Sequence, residues 1–262
     1  MHTSTPSSTM TKSGSTPPAL RARGLSKSYR SPVLDNLDLD IEQGQFVAIM
    51  GPSGSGKSTL LHCLSGMDRP SAGSILLGDT EITSLSEKEL AALRLTRFGF
   101  VFQQAHLMPT LCLLDNIVLP GYLAGLRPRP EIMARGEELM ERMGISEQAA
   151  SGVTEVSGGQ LQRAGICRAL INDPGIVFAD EPTGALNSTT ALQILDLLGE
   201  IHASGTTLVM VTHDTQVAAR ADRVLVLVDG RIMEDLSLGR YEAVKGPSRL
   251  ATITEALQRR SV

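Results

Sequence analysis

Tryptophan is absent, and five Phe and three Tyr are the only aromatic residues in 262 positions. A platform that stacks successive bases of a single strand needs more rings than that. Basic charge is not in excess either. Lys and Arg number 24 against 28 Asp and Glu, a formal net charge of −4. A protein that grips a nucleic-acid backbone broadly carries the opposite balance, so no nucleic-acid partner is expected. Long apolar runs are missing as well. Stretches such as Val224 to Val228 fall far short of the ~18–20 residues that cross a bilayer, so no span is expected within this chain. Three cysteines, Cys63, Cys112 and Cys167, stand far apart without a CxxC pair. That spacing excludes a disulfide framework and a zinc site, and predicts small apolar core residues in a reducing cytoplasm. What remains is an ordinary globular composition, 42% hydrophobic and 20% charged.

Residues 1–19 are rich in Ser, Thr and Pro and lack the apolar stretch of a secretory signal. They read as a disordered tail, with Met10 as an alternative start. From Leu20 the pattern changes. Leu37, Leu39 and Ile41 alternate with polar residues as in a half-buried strand, and Phe46 to Met50 is a short buried strand. Lys57 to Met67 reads as a helix with Leu60, Leu61, Leu64 and Met67 on one face. Ser86 and Glu89 form a capping box for a helix to about Leu95, and Phe98 to Phe102 reads as a strand. Helices are expected from Leu111 to about Gly125 and from Glu131 to Met143, broken by Pro120, Pro128 and Pro130, with no strand among them. Alternation then resumes, with a helix over Gly158 to Ile171 and a strand over Gly175 to Ala179. A helix over Thr189 to Ile201 turns Leu192, Leu195 and Leu198 inward. A strand over Leu208 to Val211 precedes a hairpin at Val224 to Ile232 around Asp229-Gly230. The last ~25 residues are less patterned and are expected to pack on the surface. The pattern predicts an α/β core around a mostly parallel sheet. The expected organisation is a tail (1–19), one domain (20–235) with a helical insert at about 104–160, and a short extension (236–262).

Gly51-Pro52-Ser53-Gly54-Ser55-Gly56-Lys57-Ser58 fits G-x-x-x-x-G-K-[ST] between a predicted strand and a predicted helix, the context that marks a P-loop. The glycines let backbone wrap a phosphate, and the N–H groups at a helix start form an anion nest. Lys57 supplies a point charge to the β- and γ-phosphates, and Ser58 offers a hydroxyl to Mg²⁺. The expected substrate is a nucleoside triphosphate.

Ile176-Val177-Phe178-Ala179 is an apolar strand ending in Asp180-Glu181. Ligands in open α/β sheets sit at the carboxyl ends of strands. Asp180 there can hold Mg²⁺ through water, and Glu181 can act as general base on the attacking water.

Val156-Ser157-Gly158-Gly159-Gln160 resembles the LSGGQ signature of ATP-binding cassette (ABC) proteins, with Val in place of Leu. Further marks follow that family's order: Tyr29 upstream of the P-loop, Gln103 after Phe102, Asp180-Glu181, and His213 in Val211-Thr212-His213-Asp214. The resemblance covers about Leu20 to Met233. It implies a P-loop NTPase (RecA-like) core with an antiparallel β edge and the helical subdomain insert. It also implies ATP and Mg²⁺ as cofactors, with Tyr29 stacked on adenine and the segment Gly51 to Thr59 around the phosphates. Ser58, Gln103 and Asp180 would attend the metal. Glu181 and His213 would be catalytic, His213 holding the γ-phosphate and the attacking water. Such domains pair head to tail, so Ser157, Gly158, Gly159 and Gln160 of one copy complete the nucleotide site of the other. Read from the residues alone, other roles stay open. Tyr29 fits a plain surface residue, Ser157-Gly158-Gly159 a bare helix start, Gln104 is a rival to Gln103, and His213 fits a core histidine. One departure stands out. Asn187 ends Gly184-Ala185-Leu186-Asn187, where the family's D-loop usually ends in Asp, which puts in doubt how tightly the two sites communicate.

No heptads lie between Lys57 and Ser157, there is one cassette, and zinc cysteines are absent. These disfavour chromosome-type, ribosome-associated and repair-type relatives. The runs Ile49 to Leu60, Phe98 to Gln104 and Ala179 to Ser188 resemble the lipoprotein-release and macrolide-export branch. That implies an ATPase subunit on the inner face of the cell membrane, bound to an FtsX-like permease that exports a lipoprotein, peptide or antibiotic. The alternative is a soluble cassette ATPase in complex assembly or regulation.

Overall fold

The computed structural model describes residues 17–260, so the expected tail lies outside the described residues as far as Thr16. In chain order the elements are β1 (Leu20–Ser28), β2 (Pro32–Ile41), β3 (Phe46–Met50), α1 (Lys57–Leu64), β4 (Ala72–Leu77), β5 (Thr80–Glu81), α2 (Glu87–Arg97), β6 (Phe98–Phe102) and α3 (Leu113–Ala124). There follow α4 (Arg129–Arg142), α5 (Gly158–Leu170), β7 (Ile176–Asp180), α6 (Ser188–Ala203), β8 (Thr207–Val211), α7 (Thr215–Ala218), β9 (Arg223–Val228), β10 (Arg231–Ser237) and α8 (Gly246–Arg260). The larger sheet runs β10-β9-β3-β8-β7-β6, parallel except for β10 at its edge. A second, antiparallel sheet runs β2-β1-β4-β5.

The central strands read as continuous apolar runs because both of their faces are covered. Phe46, Ala48 and Met50 of β3 join one core with the helices α3 to α6, while Val47 and Ile49 join a second core shared with the antiparallel sheet and α1. Leu208 and Met210 of β8 divide from Val209 and Val211 in the same way. Each of these side chains larger than alanine contributes about 1.5–3 kcal/mol of burial. This rigid double-sided sheet fixes the loops at its carboxyl edge.

Several expectations need correction. α1 stops at Leu64, because Gly66 at φ +65 ends the turn, and Met67 lies outside the helix, 38% exposed. Leu192 is 47% exposed; the buried stripe of α6 is Ile194, Leu195, Leu198 and Ile201. Pro120 does not break its helix but sits inside α3. The missing donor costs one backbone bond, while Leu113, Ile117 and Val118 are fully buried and hold the helix in place. Cys63 and Cys167 are buried, but Cys112 caps α3, its Sγ accepting the Asp115 N–H at 3.4 Å. The unpatterned C-terminal stretch contains α8, anchored by buried Ile253, Ala256 and Arg249.

At the far end of β3 the Asp222 carboxylate accepts the Phe46 N–H at 2.9 Å and lies 3.0 Å from His202 Nε2. Burial pushes its pKa up, but the bonds from His202 and Phe46 outweigh burial and leave it below its ordinary value. A carboxylate depressed in this way adds stability above its unfolded pKa and loses it as pH falls through the folded value. The contribution of Asp222 to this joint is therefore lost in acid.

Candidate functional site

Four loops meet at the carboxyl edge of the parallel sheet. The first leaves β3 as Gly51 to Gly56 and opens α1. Gly51 (φ +147) has no room for a side chain: a Cβ would lie 1.9 Å from the Leu227 carbonyl oxygen. Gly56 caps α1 in the left-handed region at φ 100. The Lys57 ammonium donates to the carbonyls of Gly51 (3.0 Å) and Pro52 (2.8 Å), so its charge is centred on the loop.

The Ser58 hydroxyl donates to Asp180 Oδ1 at 3.1 Å, joining the first turn of α1 to the end of β7. Burial raises the Asp180 carboxyl above its ordinary value, partly opposed by the Ser58 bond and by the charges of His62 and Lys57. Glu181, the next residue, takes φ +46, a left-handed conformation uncommon for a residue with a long side chain. Its N–H donates to the Val211 carbonyl and its own carbonyl accepts from Gly184, each at 3.0 Å. The turn brings the carboxylate to the loop after β8. His213 Nδ1 lies 3.2 Å from Glu181 Oε1. A hypothetical Cβ on Gly184 would meet Gln103 Nε2 at 2.8 Å and Glu181 Oε2 at 3.3 Å, so the Gln103 amide and the same carboxylate both border this glycine. Gln103 rather than Gln104 has this position. The His213 side chain is 67% exposed, which removes the core-histidine alternative.

Tyr29 is 60% exposed at the β1–β2 turn. Its hydroxyl donates to Asp68, and Lys27 Nζ lies 4.7 Å from its ring centroid. Ser157 caps α5: its Oγ accepts the Gln160 N–H, and Gln160 Oε1 accepts the Ser157 N–H at 2.8 Å. The Cβ positions of Gly158 and Gly159 face Leu186 and Thr190, and for both glycines no Gly51–Ser58 atom is among the neighbours within 4 Å.

The profile of the ABC transporter family matches residues 34–184, more than half of the chain. The chain belongs to the ABC transporter family. It is an ATP-hydrolysing nucleotide-binding cassette with a P-loop NTPase fold, as its motifs imply. A macrolide export ATP-binding/permease protein, MacB 1/2 of Paracoccus denitrificans, is 46% identical over 235 residues, 88% of this chain and 35% of the relative. The corresponding protein of Nitrosomonas europaea is 45% identical over 84% of this chain and 34% of its own length. The chain thus spans about a third of the curated relatives it matches. Among solved structures, the dimeric ABC transporter cassette MJ0796 has a TM-score of 0.79 at 37% identity, covering 85% of this chain and all of its own. The same cassette in a dimeric post-hydrolysis state bound to ADP and Pi gives 0.78 at 36%, with the same coverage.

Sequence reasoning missed His62, whose Nε2 lies 4.0 Å from Asp180 Oδ2. A signal existed: Ser58 and His62 are four apart on α1 and so share a face. It also missed Gly184, whose lack of a side chain lets Gln103 approach Glu181. No helix among the described residues is long and apolar enough to cross a membrane.

Proposed function

We propose that two copies of this cassette close head to tail on two ATP molecules and, by hydrolysing them, drive a membrane permease of the FtsX-like class. The observation that carries the hydrolytic part is His213 against the Glu181 carboxylate, with Gln103 bordering the same glycine, next to the P-loop. In this reading Glu181 takes the proton from the attacking water while Gln103 and His213 fix that water and the γ-phosphate. Lys57 and the backbone N–H groups of the Gly51 to Thr59 segment, Pro52 excepted, hold the triphosphate. Tyr29 stacks on adenine, its edge pinned by Asp68. Ser58 and Asp180 put hard oxygens 3.1 Å apart, which suits Mg²⁺, with Gln103 as a further oxygen donor. The ion would neutralise charge on the phosphate oxygens.

Gly158 and Gly159 have their near neighbours in the loop before α6 and in α6 itself, and Ser157 and Gln160 bond each other. Serving the partner's γ-phosphate gives the N–H groups at the start of α5 a ligand. A cavity of about 400 Å³ lined by Met67, Phe100, Phe102, His106 and Pro120 opens between β6 and the helical insert, beside Gln103. It is an apolar seat for a permease segment, which would place the cassette on the inner face of the membrane. Export is the transport reading: a macrolide-like compound is suggested by the names of the relatives, and a lipoprotein or peptide only by the resemblance of the sequence runs. Capture of the tagged chain from detergent-solubilised membranes is expected to bring down a multi-span permease. Recovery of soluble assembly proteins alone would favour the cytosolic alternative.

Asn187 caps α6, its Oδ1 accepting the Thr190 N–H at 2.9 Å. Aspartate caps equally well, so Asn187→Asp should shift unfolding by no more than about 0.5 kcal/mol and leave ATP affinity unchanged. The added charge in the D-loop is expected to change the Hill coefficient of the ATPase. A large loss in ATP affinity, read by equilibrium binding, would refute this.

A further inference from the structure

Three residues of α5 lie three apart and so form one stripe: Gln162, Gly165 and Arg168. All three face the backbone of the segment that carries Gln103. The Gln162 amide, 3% exposed, donates to the carbonyl of Phe102 at 2.9 Å. The Arg168 guanidinium donates to the carbonyls of Ala105 (2.6 Å) and His106 (2.8 Å). Between these anchors a Cβ on Gly165 would come within 3.2 Å of Ala105 Cβ, so helix and loop touch there. His106 is held at φ +45 where the strap ends. The loop is therefore stitched to α5 immediately before Gln103 and soon after it, and α5 begins at Ser157-Gly158-Gly159.

We infer that Gln162 and Arg168 are positioning residues that make the Gln103 loop ride on α5, so that the placement of the signature segment sets the placement of Gln103 against Glu181 in the same chain. A helix is stiff, and the few residues between the two anchors cannot absorb a shift of α5 by themselves. A second cassette that engages Ser157 thus reports its arrival to the hydrolytic carboxylate of the chain it engages, through three backbone-carbonyl bonds. Neither residue touches nucleotide in this scheme. The inference rests on the proposal that Gln103 and Glu181 serve hydrolysis.

The test is a double-mutant cycle on the purified chain, read as steady-state ATPase and equilibrium ATP binding. Gln162→Met keeps the size and removes the donor. It is expected to lower kcat about tenfold with KM and ATP affinity within about twofold. In a Gln103→Ala background the same substitution should add less than about twofold, because its effect passes through Gln103. Arg168→Met should behave alike, and Arg168→Lys, which keeps one donor, should recover part of the rate; this second pair decides the matter if Gln162→Met folds poorly. A Gln103→Ala protein with unchanged kcat would overturn the role of Gln103 in hydrolysis, and with it the strap. If Gln103→Ala is slow but the Gln162 and Arg168 substitutions leave kcat alone, or multiply fully with it, the strap is refuted while the hydrolytic reading stands.

Discussion

Glu181→Gln is expected to bind ATP, stop turning it over, and accumulate as an ATP-bound dimer. The amide keeps the size of the carboxylate and the hydrogen bonding of its remaining oxygen, and the substitution leaves the left-handed backbone at this position unaltered (φ +46). What it removes is the proton acceptor 3.2 Å from His213 Nδ1. General-base catalysis accounts for about 10²–10⁴ in rate. At about 1.36 kcal/mol per tenfold, that is about 3–5 kcal/mol of barrier. Binding should hold or tighten, because one negative charge beside the triphosphate is lost. With hydrolysis blocked, the closed pair cannot release. Sedimentation should show a dimer with ATP and a monomer with ADP. Turnover within threefold of the wild type would remove Glu181 as the base. A variant that is slow yet monomeric at saturating ATP would leave the base in place and count against closure of two cassettes.

The P-loop was legible because each of its demands is local: glycines where backbone must turn or approach, a lysine and a hydroxyl at fixed offsets, an apolar strand before and a helix after. Asp180-Glu181 and His213 were legible for the same reason, each ending a buried strand. What the sequence hid was long-range. Nothing in the order of residues places Gln103 across Gly184 from Glu181, or sets Arg168 on the carbonyls of Ala105 and His106. β1 escaped notice because its alternation slips. Leu20, Ala22 and then Leu25 point inward, with an irregularity around Gly24 at φ +58 and several shifts of register against β2. α8 was obscured because its anchor is an arginine. Arg249 is 4% exposed and donates to five carbonyls, among them Ala219 and Leu238, whereas arginine in a sequence reads as surface. Pro120 inside α3 shows packing overriding a local breaker.

Gly51→Ala and Gly54→Ala separate two reasons for glycine in one loop, and the first should cost the protein much more stability than the second. Gly54 takes φ +81 with nothing within 4 Å of a hypothetical Cβ, so alanine there meets only the left-handed backbone penalty, about 1–2 kcal/mol. At Gly51 the same penalty applies at φ +147, and the new methyl would also stand 1.9 Å from the Leu227 carbonyl oxygen and 2.9 Å from Ser55 Oγ. Neither can yield easily. Leu227 belongs to β9, paired in parallel with β3 from Val47 to Met50, and its own side chain is fully buried. Ser55 is 3% exposed. Overpacking of a tight core costs about 1–3 kcal/mol, and here backbone must move by more than an ångström against a paired strand. The two ranges add to about 2–5 kcal/mol, against a total of about 5–15 kcal/mol for a domain. Urea unfolding should give Gly54→Ala a modestly lowered midpoint. Gly51→Ala should be recovered mainly as aggregate, with its soluble fraction unable to bind ATP because the loop no longer closes behind Lys57. Equal midpoints for the two variants would mean that β9 gives way where the packing says it cannot, and that glycine at 51 serves the phosphate cradle alone rather than the joint between the cradle and the sheet.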